Sequence, residues 1–269
     1  MNTAKAPDLT LPASGSPRFA VVIPVYNHAA KVAQVAEKAK ALGFPVFVVD
    51  DGSTDGTAET LTKVHGITVL THEKNRGKGF ALLTGFRAAA AIADYAISID
   101  ADGQHDPADA STLIAAISLD KRSLIIGKRQ DMEEVGSPWS SRKGREFSNS
   151  LVRFCGGPKV TDSQSGFRIY PLPEVLKWKI WARHYGFEIE VLVWARWAKM
   201  TILEAPISVY YGAPGERITH YRPGKEFSRN SFMITRLQLY RWWFRPAKVL
   251  IDWMIWPFKK LLSWVAPHD

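Results

Sequence analysis

Short apolar, β-branched runs alternate along this chain with longer stretches in which apolar residues recur at helical spacing. The predicted strands are Phe19 to Val25, Val46 to Asp50, Ile67 to Leu70, Tyr95 to Asp100 and Ser123 to Gly127. The predicted helices between them are His28 to Leu42, Lys78 to Ala93 and Pro107 to Leu119. Repeated alternation of this kind predicts an α/β fold in which helices flank a mostly parallel sheet.

Polar residues mark the ends of the first two predicted strands, at the edge where parallel sheets bind ligands. Pro24, Tyr26 and Asn27 lie at the end of the first strand, and Asp50 and Asp51 lie at the end of the second. Carboxylates at this edge can accept hydrogen bonds from a nucleotide base or from ribose hydroxyls. The same residue types also form ordinary turns and helix caps, so the pattern alone leaves both interpretations open.

Lys78 begins the helix that follows the third strand, between Gly77 and Gly79. The backbone amides at such a helix start, together with the lysine, suit the phosphates of a ligand. The alternative is that the glycines simply precede the helix.

Two carboxylates, Asp100 and Asp102, lie two residues apart where the fourth strand ends. This spacing keeps both side chains on one side of an extended chain. Like charges at this distance favour a bridging cation, and Mg²⁺ or Mn²⁺ would use these oxygens while leaving positions for substrate phosphates. A solvated turn after the strand is the alternative interpretation.

The composition limits the partners and the location. The chain has 269 residues, a formal net charge of +9 and one cysteine, Cys155. The length suits one main domain with an appendage, and the charge favours anionic partners such as phosphates or acidic lipid. A single cysteine and an opening without a signal-peptide pattern predict a cytoplasmic location. We expect residues 1–17 to form a flexible tail.

Five motifs follow one another in order: VVIPVYN, VVDDGSTDGT, NRGKGFALLTGF, SIDADGQHDP and DSQSGFRIY. Together they resemble the family 2 glycosyltransferases of the GT-A fold, above all the dolichyl- or polyprenyl-phosphate hexosyltransferases of the dolichyl-phosphate mannose synthase type. The resemblance implies a Rossmann-like GT-A domain over residues 18–215 and a GDP- or UDP-sugar donor. It also implies that transfer inverts the anomeric carbon.

The resemblance assigns roles to the acidic strand ends. Asp50 and Asp51 would recognise the base and ribose of the donor, while Asp100, Asp102 and Gln104 would hold the metal ion. The other residues predicted to bind the donor at this edge are Pro24, Tyr26, Asn27 and Lys78.

Basic residues are frequent after the fifth strand, where the chain resembles the family's acceptor loop and the helix that follows it. They are Arg129, Arg142, Lys143 and Arg145. Guanidinium groups bind phosphate oxygens through paired, charge-assisted hydrogen bonds, so Arg129 and Arg142 are predicted to bind phosphate. The alternative is a solvated basic loop.

Three residues are predicted to act in catalysis: Asp162, Arg168 and Glu190. The resemblance places Asp162 close to the acceptor. A hydroxyl acceptor would need Asp162 as a general base, whereas a phosphate monoester is mostly dianionic at neutral pH and would need only orientation. Glu188 and Glu190 lie where relatives carry an acidic catalytic motif, although either would also suit a helix cap.

The sequence departs from the mannose synthase pattern after Tyr211, where Arg217, His220 and Arg222 are predicted to close over the donor diphosphate. Residues 216–269 are basic and rich in tryptophan, and no apolar run reaches the roughly 18–20 residues that span a bilayer. Interleaved indoles and basic side chains predict an amphipathic helical tail at a membrane surface. Packing against the protein's own core or a dimer partner is the alternative.

These features together predict a metal-dependent, inverting hexosyltransferase that acts on a lipid phosphate at the cytoplasmic face of a membrane. Transfer to a hydroxyl of a lipid or saccharide is a second possibility. A catalytically silent nucleotide-binding membrane adaptor is a third. Nucleic-acid binding is not expected, because the sequence has no recognised groove-reading module and no RNP-type aromatic motif. The sequence leaves the oligomeric state open.

Overall fold

Seven strands form the centre of the fold in a computed structural model that describes residues 17–118, 121–130, 139–210 and 223–244. The strands are β1 (Phe19–Val25), β2 (Val46–Asp50), β3 (Thr68–Thr71), β4 (Tyr95–Ser98), β5 (Ser123–Arg129), β6 (Arg168–Pro171) and β7 (Thr201–Ile207). They form one sheet in the order β3-β2-β1-β4-β6-β5-β7.

Helices cover both faces of this sheet. They are α1 (Ala29–Lys40), α2 (Thr57–Leu61), α3 (Lys78–Ala89), α4 (Ala110–Ala115), α5 (Trp139–Phe154), α6 (Glu174–Lys177), α7 (Phe187–Trp197) and α8 (Pro223–Leu239). A 3₁₀ turn at Pro107–Asp109 precedes α4, and a π-helical turn at Tyr240–Phe244 follows α8. None of the helices in the described ranges is both long enough and apolar enough to cross a bilayer.

One strand runs against the others. Strand β6 pairs antiparallel with both β4 and β5, whereas every other pairing in the sheet is parallel. The start of β6 therefore lies at the edge where the parallel strands end, and Ser98 at the end of β4 pairs with Arg168. This reversal brings the loop before β6, residues 161–167, to the ligand-binding edge of the sheet.

Alternate residues of β1 supply two separate cores. Ala20 and Val22 point into the layer formed with α3, α5, α7 and α8, whereas Val21 and Ile23 point into the layer formed with α1, α2 and α4. All four are fully buried. Burial on both faces explains why the strands appear in the sequence as continuous apolar runs.

The predicted α/β architecture with a mostly parallel sheet is confirmed, and the predicted strands lie within about two residues of those observed. The helix predicted at Pro107 to Leu119 is shorter, since it consists of the 3₁₀ turn and α4 and ends at Ala115. Strands β6 and β7 were not predicted.

The predicted tail is partly built into the main core. Met233 and Leu237 of α8 are buried beside Phe187 of α7 and Val152 of α5. One face of the predicted tail helix therefore packs on the protein itself. The domain boundary at residue 215 remains a prediction, and residues 1–16 and 245–269 lie outside the described ranges.

Candidate active site

The ends of β1 and β2 are tied together by hydrogen bonds. The Asn27 backbone amide donates to Oγ of Ser53 at 2.9 Å, and the Thr54 amide donates to Oδ1 of Asn27 at 2.8 Å. Asp50 accepts a hydrogen bond from the Ser53 amide at 3.0 Å. Pro24 is buried at the end of β1, with Tyr26 and Asn27 half-buried after it. The four residues predicted to bind the donor here thus lie together at one edge.

Asp51 organises the loop that leads into α3. Its carboxylate accepts hydrogen bonds from the backbone amides of Arg76 at 2.9 Å and Gly77 at 2.7 Å, and it contacts Nδ1 of His72 at 2.7 Å. Asp51 is almost completely buried. The carboxylate predicted to recognise the donor is therefore occupied by the protein's own loop, while its predicted role in donor binding is untested.

Lys78 joins two carboxylates from distant parts of the chain. Its Nζ lies 2.7 Å from Oδ1 of Asp100, at the end of β4, and 2.8 Å from Oε1 of Glu188, in the first turn of α7. Lys78 is the first residue of α3, so the positive end of that helix points to the same place. These three residues form the charged centre of the site, which we call the lysine cluster.

The charges of the lysine cluster stabilise one another. Burial alone would lower the pKa of Lys78, but Asp100 and Glu188 raise that pKa well above its ordinary value. Burial would likewise raise the pKa of Asp100, and the Lys78 ammonium lowers it instead. Lys78 is therefore a permanent cation and Asp100 a permanent anion at neutral pH.

Gly166, in the SGFR motif, allows Asp100 to take its position. A Cβ atom at residue 166 would lie 2.2 Å from Oδ2 of Asp100, much closer than any real contact. The Gly166 carbonyl also accepts a hydrogen bond of 2.5 Å from Oγ of Ser98. The loop before β6 thus packs directly on the end of β4, and only glycine leaves room for the carboxylate.

Asp100 of the lysine cluster is also a predicted metal ligand, and the other two, Asp102 and Gln104, follow it closely along the chain. Asp102 is half-buried, and its Oδ1 accepts a hydrogen bond of 3.0 Å from the backbone amide of Gln104. The described residues contain no group of three or more His, Cys, Asp or Glu side chains placed to hold a metal ion. Asp100 and Asp102 still offer hard oxygen ligands suited to Mg²⁺ or Mn²⁺, so the chemistry of these donors fits an ion that takes its other ligands from substrate and water.

Arg129 and Asp162 form a bidentate ion pair across the site. Nε of Arg129 lies 2.7 Å from Oδ2 of Asp162, and its Nη2 lies 2.8 Å from Oδ1. The Asp162 side chain is fully buried, and that of Arg129 is 12% exposed. Burial would raise the pKa of Asp162, but the Arg129 guanidinium lowers it. Asp162 is therefore a weak base.

Glu204 of β7 holds the loop that carries Asp162, a role the sequence analysis did not identify. Its Oε1 accepts hydrogen bonds from the amide of Thr161 at 2.8 Å and the amide of Asp162 at 3.1 Å. Asn149 of α5 holds the same loop by donating to the Thr161 carbonyl at 2.8 Å and accepting from the Ser163 amide at 2.9 Å. The position of Asp162 thus depends on both β7 and α5.

Arg168, which the sequence predicted to act in catalysis, binds backbone carbonyls in this structure, and its predicted catalytic role is untested. Its guanidinium is completely buried and donates to the backbone carbonyls of Ser163, Ser165 and Glu188 at distances of 2.7, 2.7 and 2.9 Å. The planar fork of arginine suits three acceptors in different directions. Arg168 therefore joins the loop before β6 to the start of α7.

Glu190 faces away from the site, in contrast to its predicted catalytic role. Its buried carboxylate forms an ion pair with Arg236 of α8 and accepts a hydrogen bond of 2.7 Å from the Ala182 amide. Glu188 is the residue of this pair that reaches the lysine cluster. Side chains two positions apart on an α-helix point in directions about 200° apart, so these two carboxylates cannot share one side of α7. Glu188, rather than Glu190, is thus the carboxylate that contacts Lys78, while the predicted catalytic role of Glu190 is untested.

Several predicted residues cannot be placed by contacts. The backbone of Arg142 belongs to α5, but its side chain is outside the described atoms. Arg217, His220 and Arg222 lie outside the described residues. Their predicted roles at the diphosphate and acceptor remain predictions.

A comparison with protein families identifies the family of this chain. The family model described as glycosyl transferase family 2 matches residues 20–176, from β1 into α6. The chain belongs to glycosyl transferase family 2. It is a glycosyltransferase, as the five motifs predicted.

Two curated relatives of this glycosyltransferase act on dolichyl phosphate according to their names. The chain is 30% identical over 213 residues to the UDP-N-acetylglucosamine–dolichyl-phosphate N-acetylglucosaminyltransferase of Methanococcus voltae, a match covering 71% of this chain and 85% of that protein. It is 28% identical over 222 residues to the dolichyl-phosphate beta-glucosyltransferase of Saccharomyces cerevisiae, covering 71% of this chain and 66% of that protein.

Solved structures share the fold. A crystal structure of a mycobacterial protein superposes with a TM-score of 0.59 at 21% identity, covering 84% of this chain and 74% of that one. Mannosyl-3-phosphoglycerate synthase from Rubrobacter xylanophilus gives a TM-score of 0.57 at 20% identity over the same shares. The likeness confirms the predicted GT-A-type fold of this family 2 glycosyltransferase.

Proposed function

We propose that this glycosyltransferase moves a hexose from a nucleotide-sugar donor to a polyprenyl phosphate of the dolichyl phosphate type, with inversion at the anomeric carbon. The observation that carries this proposal is the bidentate pairing of the fully buried Asp162 with Arg129. A hydroxyl acceptor needs a general base, whereas a phosphate monoester carries its own negative oxygen at neutral pH.

The carboxylates predicted as bases are both unsuited to remove a proton. Asp162 is held by Arg129 and has a lowered pKa, and Glu190 is fully buried against Arg236. An acceptor that is already an anion removes the need for either of them. The names of the Methanococcus voltae and Saccharomyces cerevisiae relatives, which both include dolichyl phosphate, support the same acceptor class.

On the donor side, the lysine cluster and the residues after β4 would bind the diphosphate and the cation. Lys78, at the amino-terminal end of α3, would face the diphosphate, because its ammonium and the helix dipole both favour negative charge. Asp100 and Asp102, with Gln104, would hold a divalent cation. When bound, that cation neutralises charge on the departing diphosphate.

The reaction then balances without an external base. An oxygen of the acceptor phosphate forms a bond to the anomeric carbon while the bond from that carbon to the diphosphate oxygen breaks, and the electron pair leaves with the nucleoside diphosphate. Attack opposite the leaving group inverts the anomeric configuration. In this scheme Arg129 supplies positive charge on the acceptor side, and Asp162 is a positioning residue that fixes the guanidinium.

A transfer screen tests the proposal. The purified full chain is incubated with UDP-N-acetylglucosamine, UDP-glucose or GDP-mannose, each with polyprenyl phosphate, with the matching polyprenol, or without acceptor. We expect a lipid-linked product from one donor with the phosphate acceptor only, and the anomeric configuration of that product tests inversion. Equal transfer to the polyprenol, or hydrolysis without transfer, would refute the proposed acceptor.

The membrane surface and the cytoplasmic location also belong to this proposal. A polyprenyl phosphate resides in a bilayer, so the enzyme must reach the headgroup region. The basic, tryptophan-rich composition of residues 216–269 supports binding at that surface.

A further inference from the structure

The last described helix carries an exposed apolar stripe. Phe232 and Leu239 lie seven residues apart on α8, and Trp242 and Trp243 follow in the π-helical turn. Phe232, Trp242 and Trp243 are 70%, 67% and 72% exposed. Residues seven positions apart share one side of an α-helix, so Phe232 and Leu239 lie on the same side of α8, and the two exposed indoles extend this apolar surface into the turn that follows.

The neighbouring side of the same helix is packed against the protein. Met233 and Leu237 are buried, and Arg236 pairs with the buried Glu190 of α7. The Tyr240 ring stacks on Trp197 with centroids 5.4 Å apart. Because the inner side is fixed by these contacts, the direction of the exposed stripe is fixed as well.

Helix α5 presents a second exposed apolar pair. Phe147 and Phe154 lie seven residues apart and are 60% and 61% exposed, whereas Ser148, Val152 and Cys155 on the other side are buried. Large exposed aromatic residues that line up on one side of a helix are unusual on a protein surface that faces only water.

Hydrogen bonds join the two apolar rows. The backbone carbonyl of Phe154 accepts from Nε2 of Gln238 at 2.8 Å and from Nη1 of Arg241 at 3.0 Å. Nε1 of Trp242 in turn donates to Oε1 of Gln238 at 3.1 Å. The rows are therefore neighbours, and together they form what we call the aromatic face: Phe147, Phe154, Phe232, Leu239, Trp242 and Trp243.

Positive charge borders the aromatic face. Arg153 is exposed beside Phe154, and the Arg241 guanidinium lies 5.4 Å from the Trp242 ring. Residues 229–243 include three arginines and no acidic residue, and Glu146 is the one acidic residue of α5. Indole and phenyl groups bordered by arginines match the boundary between lipid headgroups and acyl chains, above all in an anionic leaflet.

We infer that the aromatic face docks on an anionic lipid surface, with α5 and α8 lying side by side on the membrane. This goes beyond a tail-only contact, because α5 belongs to the catalytic domain. It rests on the proposed function in one respect, namely that the acceptor is lipid-linked.

The placement of α5 gives this contact a role at the site. Asn149, next to the buried side of α5, holds the Thr161 and Ser163 backbone on either side of Asp162. The helix that touches lipid on its outer side therefore positions the predicted acceptor residues on its inner side. Docking through α5 would bring the Arg129 and Asp162 pair close to the level at which a lipid phosphate lies.

Vesicle co-sedimentation of the full chain tests the inference without any need for activity. The probe is vesicles of phosphatidylcholine mixed with phosphatidylglycerol, compared with phosphatidylcholine alone. We expect both Phe147→Ser/Phe154→Ser and Trp242→Ser/Trp243→Ser to weaken binding by about tenfold or more, since each removes two large apolar groups from the lipid contact. Added salt should weaken binding only in part.

Matched controls come from exposed apolar residues elsewhere. Ile92, in the turn after α3, is 45% exposed, and Val69, in the edge strand β3, is 40% exposed; both are far along the chain from the aromatic face. Ile92→Ser and Val69→Ser should leave vesicle binding unchanged. Thermal unfolding of every variant shows whether the fold is retained, and the single change Phe147→Ser replaces the double change if that variant unfolds.

Three results would overturn the inference. Unchanged vesicle binding of the folded α5 variant would show that α5 does not touch lipid. A change in the mass of the vesicle-free protein caused by the same variant, in analytical ultracentrifugation, would show that a second copy covers the face. Loss of binding on deletion of residues 245–269 alone, with both serine variants binding normally, would assign the membrane contact to that segment.

The proposed function can fail separately. If vesicle binding follows the expected pattern but no donor yields transfer to polyprenyl phosphate, the aromatic face stands and the acceptor assignment is wrong. If transfer to polyprenyl phosphate occurs in detergent but the serine variants bind vesicles as well as wild type does, the acceptor assignment stands and the aromatic face is wrong.

Discussion

Replacing Asp162 by asparagine separates the two roles that its carboxylate could play. The change keeps the shape of the side chain but removes its charge, leaving the Arg129 guanidinium without its ion-pair partner in a largely buried position. Asparagine can still accept one of the two hydrogen bonds that Arg129 donates. We therefore expect a folded but less stable enzyme.

The loss of stability follows from the burial of the pair. Removing one partner of a buried, hydrogen-bonded ion pair leaves an uncompensated charge, and with one hydrogen bond retained we expect a loss of about 2–3 kcal/mol in the free energy of unfolding. For a domain of this size that corresponds to about 5–10 °C in the melting temperature. Asp94→Asn is the matched control, since Asp94 also forms a bidentate pair, with Arg18, in which the arginine side chain is 60% exposed and the aspartate side chain 35% exposed. Its cost should stay below about 1 kcal/mol.

The stabilising effect of Asp162 should depend on pH in a defined direction. Because Arg129 lowers the pKa of Asp162 in the folded protein, the stabilisation is fully present above the ordinary aspartate pKa of about 4. It is lost as the pH falls through the lower, folded-state pKa. The difference in unfolding free energy between wild type and Asp162→Asn should therefore shrink in acid.

The activity assay then decides the role. With a polyprenyl phosphate acceptor, Asp162→Asn should retain measurable transfer, reduced by about tenfold through poorer positioning of Arg129. Loss of a true general base would cost about 10²–10⁴-fold. A loss in the latter range, in protein shown by its melting curve to be folded at the assay temperature, would refute the phosphate mechanism proposed here.

Three further changes test other parts of the site. Asp102→Asn should lose most turnover with little change in melting temperature. Chelator should lower the turnover of the wild-type enzyme in the same way, so full activity in chelator would refute the metal assignment. Glu188→Gln should lower turnover more than Glu190→Gln, which should mainly lower the melting temperature, and steady-state kinetics with melting curves distinguish these results. Gly166→Ala should lower both stability and turnover, because its methyl group would lie 2.2 Å from an Asp100 oxygen in the unshifted structure, and a wild-type melting temperature with wild-type kinetics would contradict this.

The sequence predicted the first half of the sheet well, because its strands have local signals. Strands β1, β2 and β4 are buried on both sides and appear as apolar runs with clear ends. Strand β6 has only four residues and takes its place through pairing with β4 and β5, which are distant in sequence. No local pattern encodes that insertion, so the SGFRIY segment was recognised only as a motif.

The site shows the same limit at the level of single side chains. The sequence placed Asp100 and Lys78 at one edge of the sheet, and in the structure the two side chains form an ion pair there. It could not show that the buried Arg168 donates hydrogen bonds to three backbone carbonyls, or that Glu188 rather than Glu190 contacts Lys78. Both arrangements depend on how α7 packs. Residue types in a motif predict that charge is present, whereas packing decides what the charge contacts.

The antiparallel insertion of β6 also has a consequence for the order in which the molecule assembles. The region from β1 to β4 forms its parallel pairings within about the first hundred residues, whereas β4 gains its second neighbour only when residues 168–171 arrive. Pairings between distant segments form late, because their loop-closure cost comes before their gain. During synthesis the amino-terminal half can therefore be in place while Asp100 still lacks the Gly166 loop beside it. Assembly of the lysine cluster should accordingly be a closing step of folding, completed only after α7 has been made.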